Sequence, residues 1–493
     1  MKKEENRRLY DRLAEYADSR VYPFHMPGHK RRCVPGEAGT VYRMDITEID
    51  GFDNLHDARG ILKEAQQFAA RLYGAEETCF CVNGSTGAIL AAVSAVCSSG
   101  GRILIARNCH KSVYNAIELN QLQVSYIYPQ VNARYTVCEG IYPQDMEKEW
   151  INHPDIQAIV ITSPTYDGVV SDVRQICDAA HARGIPVIVD EAHGAHFPFS
   201  GYFPESALHC GADIVIHSLH KTLPALTQTA LLHVNGTLVD RERLHRMLTV
   251  YQSSSPSYIL MGSIDSCLHL LQEEGEALFA RYTKQLETLR TQLGAGKRIR
   301  LLGRQDLDPV RSPDYDRGKL LLFAGPGTGG GKQLYQRLLK EYGLQAEMMS
   351  VDYVLAMTSI ADDEEGYARL REAVFRLEAE AQAACPEEEI KTSCPEEALR
   401  SANPGKTVQL PQPEQALPVW EAVRREKEKI RLRDAAGRTA SEYVYLYPPG
   451  VPLLVPGEQI GENALAQIFR WKKAGMDITG VYGEEISVLR QEG

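Results

Sequence analysis

Short apolar runs separated by helix-length segments dominate the stretch from residue 62 to residue 240. They are Thr78-Cys79-Phe80-Cys81-Val82, Arg102-Ile103-Leu104-Ile105-Ala106, Ala158-Ile159-Val160-Ile161-Thr162, Val187-Ile188-Val189-Asp190 and Ile214-Val215-Ile216. Runs this short and rich in β-branched residues predict strands of a parallel sheet covered by helices on both faces. Polar or turn-forming residues follow most of them at once: Asn83-Gly84-Ser85-Thr86-Gly87, Arg107-Asn108-Cys109-His110-Lys111, Ser163-Pro164-Thr165-Tyr166 and His217-Ser218-Leu219-His220-Lys221. Ligands of open α/β sheets bind outside the carboxyl ends of the strands, so these loops are expected to converge on one crevice.

On either side of this region the pattern changes. Residues 7–20 carry a mixed apolar and charged helical pattern and lead into Phe24-His25-Met26-Pro27-Gly28-His29-Lys30. That Pro/Gly loop reads either as functional, given its rings and cations, or as a connecting turn. From about 300 to 384, apolar strands (Leu320 to Phe323, Tyr353 to Met357) mix with amphipathic helices, the last at about 364–384. Prolines then crowd the stretch from Cys385-Pro386 to Pro418, which predicts an irregular linker. The expected organisation is an N-terminal arm and loop at 1–60, a large domain at 61–295, a smaller α/β domain at 296–384, a linker at 385–418 and a C-terminal α+β domain at 419–493.

Composition narrows the class. A chain of 493 residues with 44% hydrophobic content is too long for one core and ample for two or three. The net charge of −11 gives no footprint for nucleic acid or an anionic membrane, and would suit a cationic substrate. The start, Met1-Lys2-Lys3-Glu4-Glu5-Asn6, is charged with no apolar core behind it, and no run approaches a membrane span, so a soluble cytoplasmic protein is expected. The 11 cysteines are odd in number and scattered, without zinc-site spacing; reduced thiols and no metal centre are expected.

The candidate chemistry centres on Lys221. A lysine flanked by Ser218 and His220, downstream of an apolar run ending in Asp190, is the arrangement that holds pyridoxal phosphate. The lysine bonds the cofactor carbonyl carbon, the carboxylate pairs with the protonated pyridine nitrogen, and the serine hydroxyl and histidine N–H contact the phosphate. Asn83 to Gly87, at a strand-to-helix junction, supplies backbone amides and the Ser85 and Thr86 hydroxyls as a phosphate cradle, or else a plain N-cap with a tight turn. The His110 ring is placed to stack on the pyridine and present a cation to a leaving carboxylate, or to cap a helix. Gly325-Pro326-Gly327-Thr328-Gly329-Gly330-Gly331-Lys332 satisfies G-x-G-x-x-G formally, but Pro326 stands where a P-loop needs glycine, so it reads as a turn entering a helix near 332–342. Asp362-Asp363-Glu364-Glu365 reads as a helix N-terminal turn, and Arg424-Arg425-Glu426-Lys427-Glu428-Lys429 as a solvated helix face.

Ser218-Leu219-His220-Lys221-Thr222-Leu223-Pro224-Ala225-Leu226-Thr227-Gln228 closely resembles the pyridoxal-phosphate signature of the bacterial Orn/Lys/Arg decarboxylases. Phe24 to Lys30, Asp53 to Asp57, Val82 to Thr86, Asn108 to Ser112, Asp190 to Ala195, Ser254 to Tyr258 and Tyr447 to Glu458 resemble further blocks of that family in the same order, over essentially the whole chain. The first block begins by residue 24, which resembles the short form without the receiver-like wing of the large acid-inducible enzymes. The resemblance implies a fold-type-I, aspartate-aminotransferase-like architecture with a mostly parallel central sheet, and a homodimer with active sites at the interface. It implies Lys221 as the Schiff-base lysine, Asp190 as the pyridine-nitrogen partner, His110 as the stacking ring, and Ser85, Thr86, Ser218 and His220 as phosphate contacts. Ala192 and His193 are implied beside the cofactor ring, and Ser254 and Ser255 at the partner subunit's cofactor. Larger family members often carry Trp where this chain has His193, so contacts beside the ring are expected to differ.

The activity implied is decarboxylation of a basic L-amino acid, arginine before lysine or ornithine, with Lys221 or His110 returning the proton to Cα. Asp45, Glu48, Asp50, Asp53 and Glu458 are candidates for the distal cation. Two other readings stand beside it. An aminotransferase on the same scaffold would need an arginine such as Arg298, Arg300, Arg304 or Arg311 for the α-carboxylate; a non-catalytic homologue would bind the cofactor without turnover.

Overall fold

The computed structural model describes residues 52–385, 412–448 and 450–491, together with Arg20, residues 22–24, Glu48 and the backbone of residues 407–409. Its centre is a seven-stranded sheet built from β1 (Glu77–Cys81), β2 (Arg102–Ala106), β3 (Gln123–Ile127), β4 (Ile156–Thr162), β5 (Val187–Asp190), β6 (Ile214–Ser218) and β7 (Ala230–Val234). The order is β1-β7-β6-β5-β4-β2-β3, with β7 antiparallel to both neighbours and the pairs from β6 to β3 parallel. Strands β5, β6 and β7 are buried along their whole length, as a sheet sandwiched between helices requires.

The sequence pattern finds five of these strands and passes over β3 and β7. β3 lies at the sheet edge, and its Gln-Val-Ser-Tyr-Ile alternation lacks the continuous apolar run of a central strand. β6 also extends to Ser218, so His217 and Ser218 sit on the strand rather than in the loop after it.

Two helices follow the carboxyl ends that matter most. α1 (Gly84–Val96) buries nearly every residue from Gly87 to Ala95, an apolar cylinder wedged between the sheet and α3 (Arg241–Tyr251). α2 (Lys111–Leu119) starts at His110. A 36-residue helix, α4 (Tyr258–Leu293), buries Met261, Ile264, Leu268, Leu271, Phe279, Tyr282, Leu286 and Leu289 at three- and four-residue spacing, and leads to the second sheet.

That sheet comprises β8 (Ile299–Leu301), β9 (Lys319–Ala324), β10 (Met348–Met349) and β11 (Tyr353–Met357), antiparallel in the order β8-β9-β11-β10. α5 (Gly330–Tyr342) and α6 (Glu364–Ala384) pack on it. The glycine-rich turn before α5 serves close packing: a side chain on Gly331 would start 2.2 Å from the Ser350 carbonyl oxygen. Asp363 caps α6 by accepting the Gly366 amide at 2.9 Å, while Asp362 accepts the Tyr22 hydroxyl at 2.8 Å. Tyr22–Phe24 pairs in parallel with Leu344–Ala346; His25 to Lys30 lie outside the described residues.

The C-terminal region has its own core of Leu432, Val444, Leu454, Ile468, Ile486 and Val488, between two three-stranded sheets and the helix Glu462–Lys473. Lys427–Arg431 is a strand paired with Glu485–Leu489, which corrects the helical expectation there. Its alternating signs have the two-residue period of an exposed strand, and its residues alternate between exposed and half-buried. Thr407–Gln409, inside the stretch expected to be irregular, forms a strand with Gln130–Asn132.

Candidate active site

All the parallel strands point their carboxyl ends to one edge, and the antiparallel β7 brings its amino end there too, pairing Ala230 with both Ser218 and Cys81. This register brings two distant hydroxyls together: Ser85 Oγ, in the first turn of α1, and Ser218 Oγ, at the end of β6, are hydrogen bonded. Gly84, at φ +66°, donates its amide to the Gln228 carbonyl at 3.0 Å. Asn83 stands at the N-cap position of α1 without capping it; its amide donates to the Tyr251 carbonyl at 3.0 Å instead. The Asn83 side chain thus leaves the next amides of α1, those of Ser85 and Thr86, for another acceptor, and a helix start of this kind favours an anion. Thr86 is exposed beside Ser85. His220 donates Nδ1–H to the Thr229 carbonyl at 2.9 Å.

Asp190 closes β5 and is 4% exposed. Burial pushes its carboxyl above the ordinary range, against the pull of Lys221. Its Oδ1 accepts the Ala192 amide at 3.2 Å, so Ala192 fixes the carboxylate through its backbone. Burial lowers the Lys221 ammonium, opposed by Asp190 and Glu347, which favours the nucleophilic amine. Lys221 Nζ lies 3.2 Å from His193 Nε2. His193 is 4% exposed, stacks edge-on to Tyr166 at 4.7 Å between centroids, and is held neutral by burial and by the lysines on either side.

His110 accepts the Ser112 amide at Nδ1, 3.2 Å away, and so caps α2. Burial, with Lys221 and Lys111 nearby, pushes its pKa down to about 4, so the ring is neutral at physiological pH. The expectation that it presents a cation is corrected by that electrostatic setting; with Nδ1 accepting, Nε2 carries the hydrogen. The C-terminal region reaches this point: Gly450 donates no side chain, and a Cβ there would lie 3.5 Å from His110 Nε2. Lys111 Nζ sits 5.5 Å from the ring centres of Tyr445 and Tyr447.

The five distal-cation candidates separate. Glu458 is completely buried, with Oε2 2.9 Å from Arg107 Nη2 and 2.8 Å from the Val455 amide, and is committed to that pair. Asp53 is committed to its own loop, collecting the amides of Asn54, Arg59, Gly60 and Leu62. Glu48 Oε1 is buried with no hydrogen-bond partner among the described residues. Asp45 and Asp50 lie outside the described residues. Ser254 and Ser255 are exposed in the turn before α4, away from any bond to Lys221, Asp190 or His193. The four arginines considered for an α-carboxylate have other duties: Arg298 bonds the Cys385 carbonyl, Arg300 that of Lys297, Arg304 that of Pro313, and Arg311 pairs with Asp145 at 2.6 Å.

Sequence reasoning missed Lys319 and Glu347, and placed Tyr166 in a strand-end loop at the crevice without a role. Lys319 is 1% exposed, and its Nζ lies 2.6 Å from His193 Nδ1. Tyr166 donates its hydroxyl to Glu347. The available signal was weak: a lysine opening an apolar strand, and a tyrosine at a strand end. A separate hollow of about 420 Å³ lies between Leu55–Ala58, β1 and α3, and contains Glu77, Cys79 and His245 within 4.8 Å of one another. Arg241 also approaches Glu77, at 3.5 Å.

The hydroxyl pair, the uncapped amides of Ser85 and Thr86, the half-buried lysine and the buried carboxylate suit the phosphate, carbonyl and pyridine nitrogen of pyridoxal phosphate in turn, on the sheet of a fold-type-I enzyme. The chain belongs to the Orn/Lys/Arg decarboxylase family: the family's major domain matches residues 8–316 and its C-terminal domain residues 397–477. The arginine decarboxylase of Bacillus subtilis (strain 168) is 31% identical over 98% of this chain and 97% of its own length. That of Halalkalibacterium halodurans is 30% identical over 99% and 98%. Among solved structures, the E. coli constitutive lysine decarboxylase shares the fold at a TM-score of 0.75 and 21% identity, over 98% of this chain and 81% of that one. This protein is a pyridoxal-phosphate-dependent decarboxylase of a basic amino acid.

Proposed function

We propose that the substrate is arginine, ahead of lysine and ornithine, and that the enzyme works as a homodimer. The observation that carries the reaction is the half-buried Lys221, its ammonium disfavoured by desolvation, within the field of buried Asp190. Support for arginine comes from the nearly full-length relationship to two arginine decarboxylases. Pyridoxal phosphate supplies an electron sink for the pair left at Cα when the carboxylate departs.

The chain's own residues do the rest. Lys221, as an amine, would hold the cofactor through its carbonyl carbon and would afterwards return a proton to Cα. Asp190 keeps the pyridine nitrogen protonated, a role suited to a carboxylate that lacks water and needs a cation. Ser85, Thr86, Ser218 and His220, with the backbone amides of Ser85 and Thr86, would hold the phosphate. His110 lies on the cofactor ring as a neutral imidazole and orients rather than protonates. Ser254 and Ser255, exposed on the turn before α4, extend to the partner's cofactor, and Glu48, with a buried oxygen that has no partner among the described residues, meets the guanidinium.

The engagement of Arg298, Arg300, Arg304 and Arg311 elsewhere speaks against transamination, which would want an arginine on the α-carboxylate. Carbon dioxide release from L-arginine, L-lysine and L-ornithine measured in parallel tests the reading. Arginine is expected to give the highest kcat/KM, by roughly tenfold or more. A keto acid without carbon dioxide would overturn it.

A further inference from the structure

Lys319 opens β9 in the second sheet, yet its side chain ends beside the loop after β5 in the first. The stem passes over Gly168, at φ +97°, where a Cβ would sit 2.8 Å from Lys319 Cγ; only glycine leaves that path open. At the end of the path Nζ meets His193 Nδ1 at 2.6 Å and Met357 Sδ at 3.5 Å, and lies 5.4 Å from the centre of the Tyr166 ring. The same imidazole meets Lys221 Nζ through its other nitrogen, at 3.2 Å. Two lysines, one opening β9 and one in the helical turn after β6, thus share one histidine.

Hydrogen-bond chemistry gives this chain a direction. An ammonium has donors and no acceptor, and a neutral imidazole has one of each. If Lys319 donates to Nδ1, the imidazole hydrogen must be on Nε2. Nε2–H then faces Lys221, which can accept only as the amine. We infer that Lys319 is a positioning residue: it fixes the tautomer and orientation of His193 so that Nε2–H holds Lys221 in its nucleophilic form. The inference rests on the reading of Lys221 as the cofactor's lysine.

The groups around the chain agree with these protonation states. Lys319 faces Asp316 from its own turn, Glu347 from the strand leading to β10, Asp167 and Tyr166 from the turn after β4, and Lys221 across His193. Burial brings its pKa down to about 8 against the pull of the carboxylates, which leaves an ammonium at neutral pH. Asp316 is itself held by His196 Nε2 at 3.2 Å and the Gly318 amide at 2.9 Å, and Asp167 by the Tyr353 hydroxyl at 2.7 Å. His193 faces Lys221, Lys319, His110 and His220, all opposing a positive ring. Lys221 faces Asp190 and Glu347, which favour its cation, while desolvation pulls its pKa down.

Two measurements on the full-length, cofactor-stripped protein test this. The first is trace acetylation of Lys221 across pH, read by peptide mass spectrometry, in wild type, Lys319→Met and Lys319→Arg. Methionine removes the donor and the charge, so the midpoint for Lys221 should rise by about one pH unit or more, whereas arginine should hold it within a few tenths. An unchanged midpoint in folded Lys319→Met, or equal shifts in both variants, would overturn the inference. The second needs no change at Lys319, in case the methionine variant does not fold. In histidine-selective ¹⁵N spectra, with the His193 signals identified by their loss in His193→Gln, Nε2 should be of the protonated type and Nδ1 of the unprotonated type; the opposite tautomer would overturn it. Neither readout requires turnover. A wild-type protein that takes up no pyridoxal phosphate would defeat the proposed function while leaving these results to stand or fall alone.

Discussion

The hydroxyls of Ser85 and Ser218 are hydrogen bonded to each other although the residues are 133 positions apart in the chain. One comes from the start of α1 and the other from the end of β6, and the antiparallel β7 between their strands sets the register that lets them meet. Each hydroxyl can donate only one hydrogen, and a bound phosphate would take both. Replacing either serine by alanine should weaken pyridoxal-phosphate binding roughly ten- to hundredfold, the scale of a hydrogen bond to a charged group. Equilibrium titration of the cofactor absorbance measures this, and the absorbance should return at saturating cofactor because Lys221 is untouched. Binding unchanged in both variants would remove these hydroxyls from the phosphate site.

His110 should make the cofactor-free protein sensitive to mild acid. Its pKa is about 4 in the fold against an ordinary value of 6.5. Below pH 6.5 the unfolded chain takes up a proton that the folded protein refuses until about pH 4, so the contribution is intact above 6.5 and is lost as pH falls through that window. At about 1.4 kcal/mol per pKa unit the loss approaches about 3 kcal/mol. Urea denaturation at pH 7.5 and pH 5 should show a smaller loss for His110→Gln than for wild type. Equal losses would mean that the histidine is not held neutral.

Arg107 and Glu458 join the end of β2 to the C-terminal region, with Nη2 to Oε2 at 2.9 Å and further bonds from the guanidinium to the Pro452 and Leu453 carbonyls. Glu458→Gln leaves a buried guanidinium without its counter-charge and should destabilise the fold by about 3–5 kcal/mol. The double variant Arg107→Met with Glu458→Leu should recover part of that loss, since no charge is then left uncompensated. KM for the substrate in the surviving folded Glu458→Gln enzyme should change by less than about twofold. A large rise in KM with normal stability would return Glu458 to the list of substrate contacts.

Much of this site is legible in the sequence because its residues follow strand ends. Asp190, Ser218 and Lys221 sit where an apolar run gives way to polar residues, and the parallel sheet brings those points to one edge. β7 was not legible, because its Ala-Leu-Leu-His-Val run suits a helix or a strand equally, and its antiparallel sense depends on tertiary pairing. Lys319 was hidden for another reason. A lysine opening a strand reads as a solvated end, and it takes the gap above Gly168, the imidazole beyond it and the carboxylates of Asp316, Glu347 and Asp167 to make its burial tolerable. Glu458 and Asp53 misled in the opposite direction: both are carboxylates in family-like blocks, but their oxygens are occupied by the fold itself.

The most direct measurement is the release of labelled carbon dioxide from carboxyl-labelled L-arginine by the pyridoxal-phosphate-loaded wild type and by Lys221→Ala. The wild type should release it in step with the amine product, and Lys221→Ala should be slower by at least about 10³-fold and lack the cofactor absorbance of the lysine adduct. No release from arginine, lysine or ornithine by wild type, or undiminished release by Lys221→Ala, would contradict the assignment of Lys221 as the residue on which decarboxylation depends.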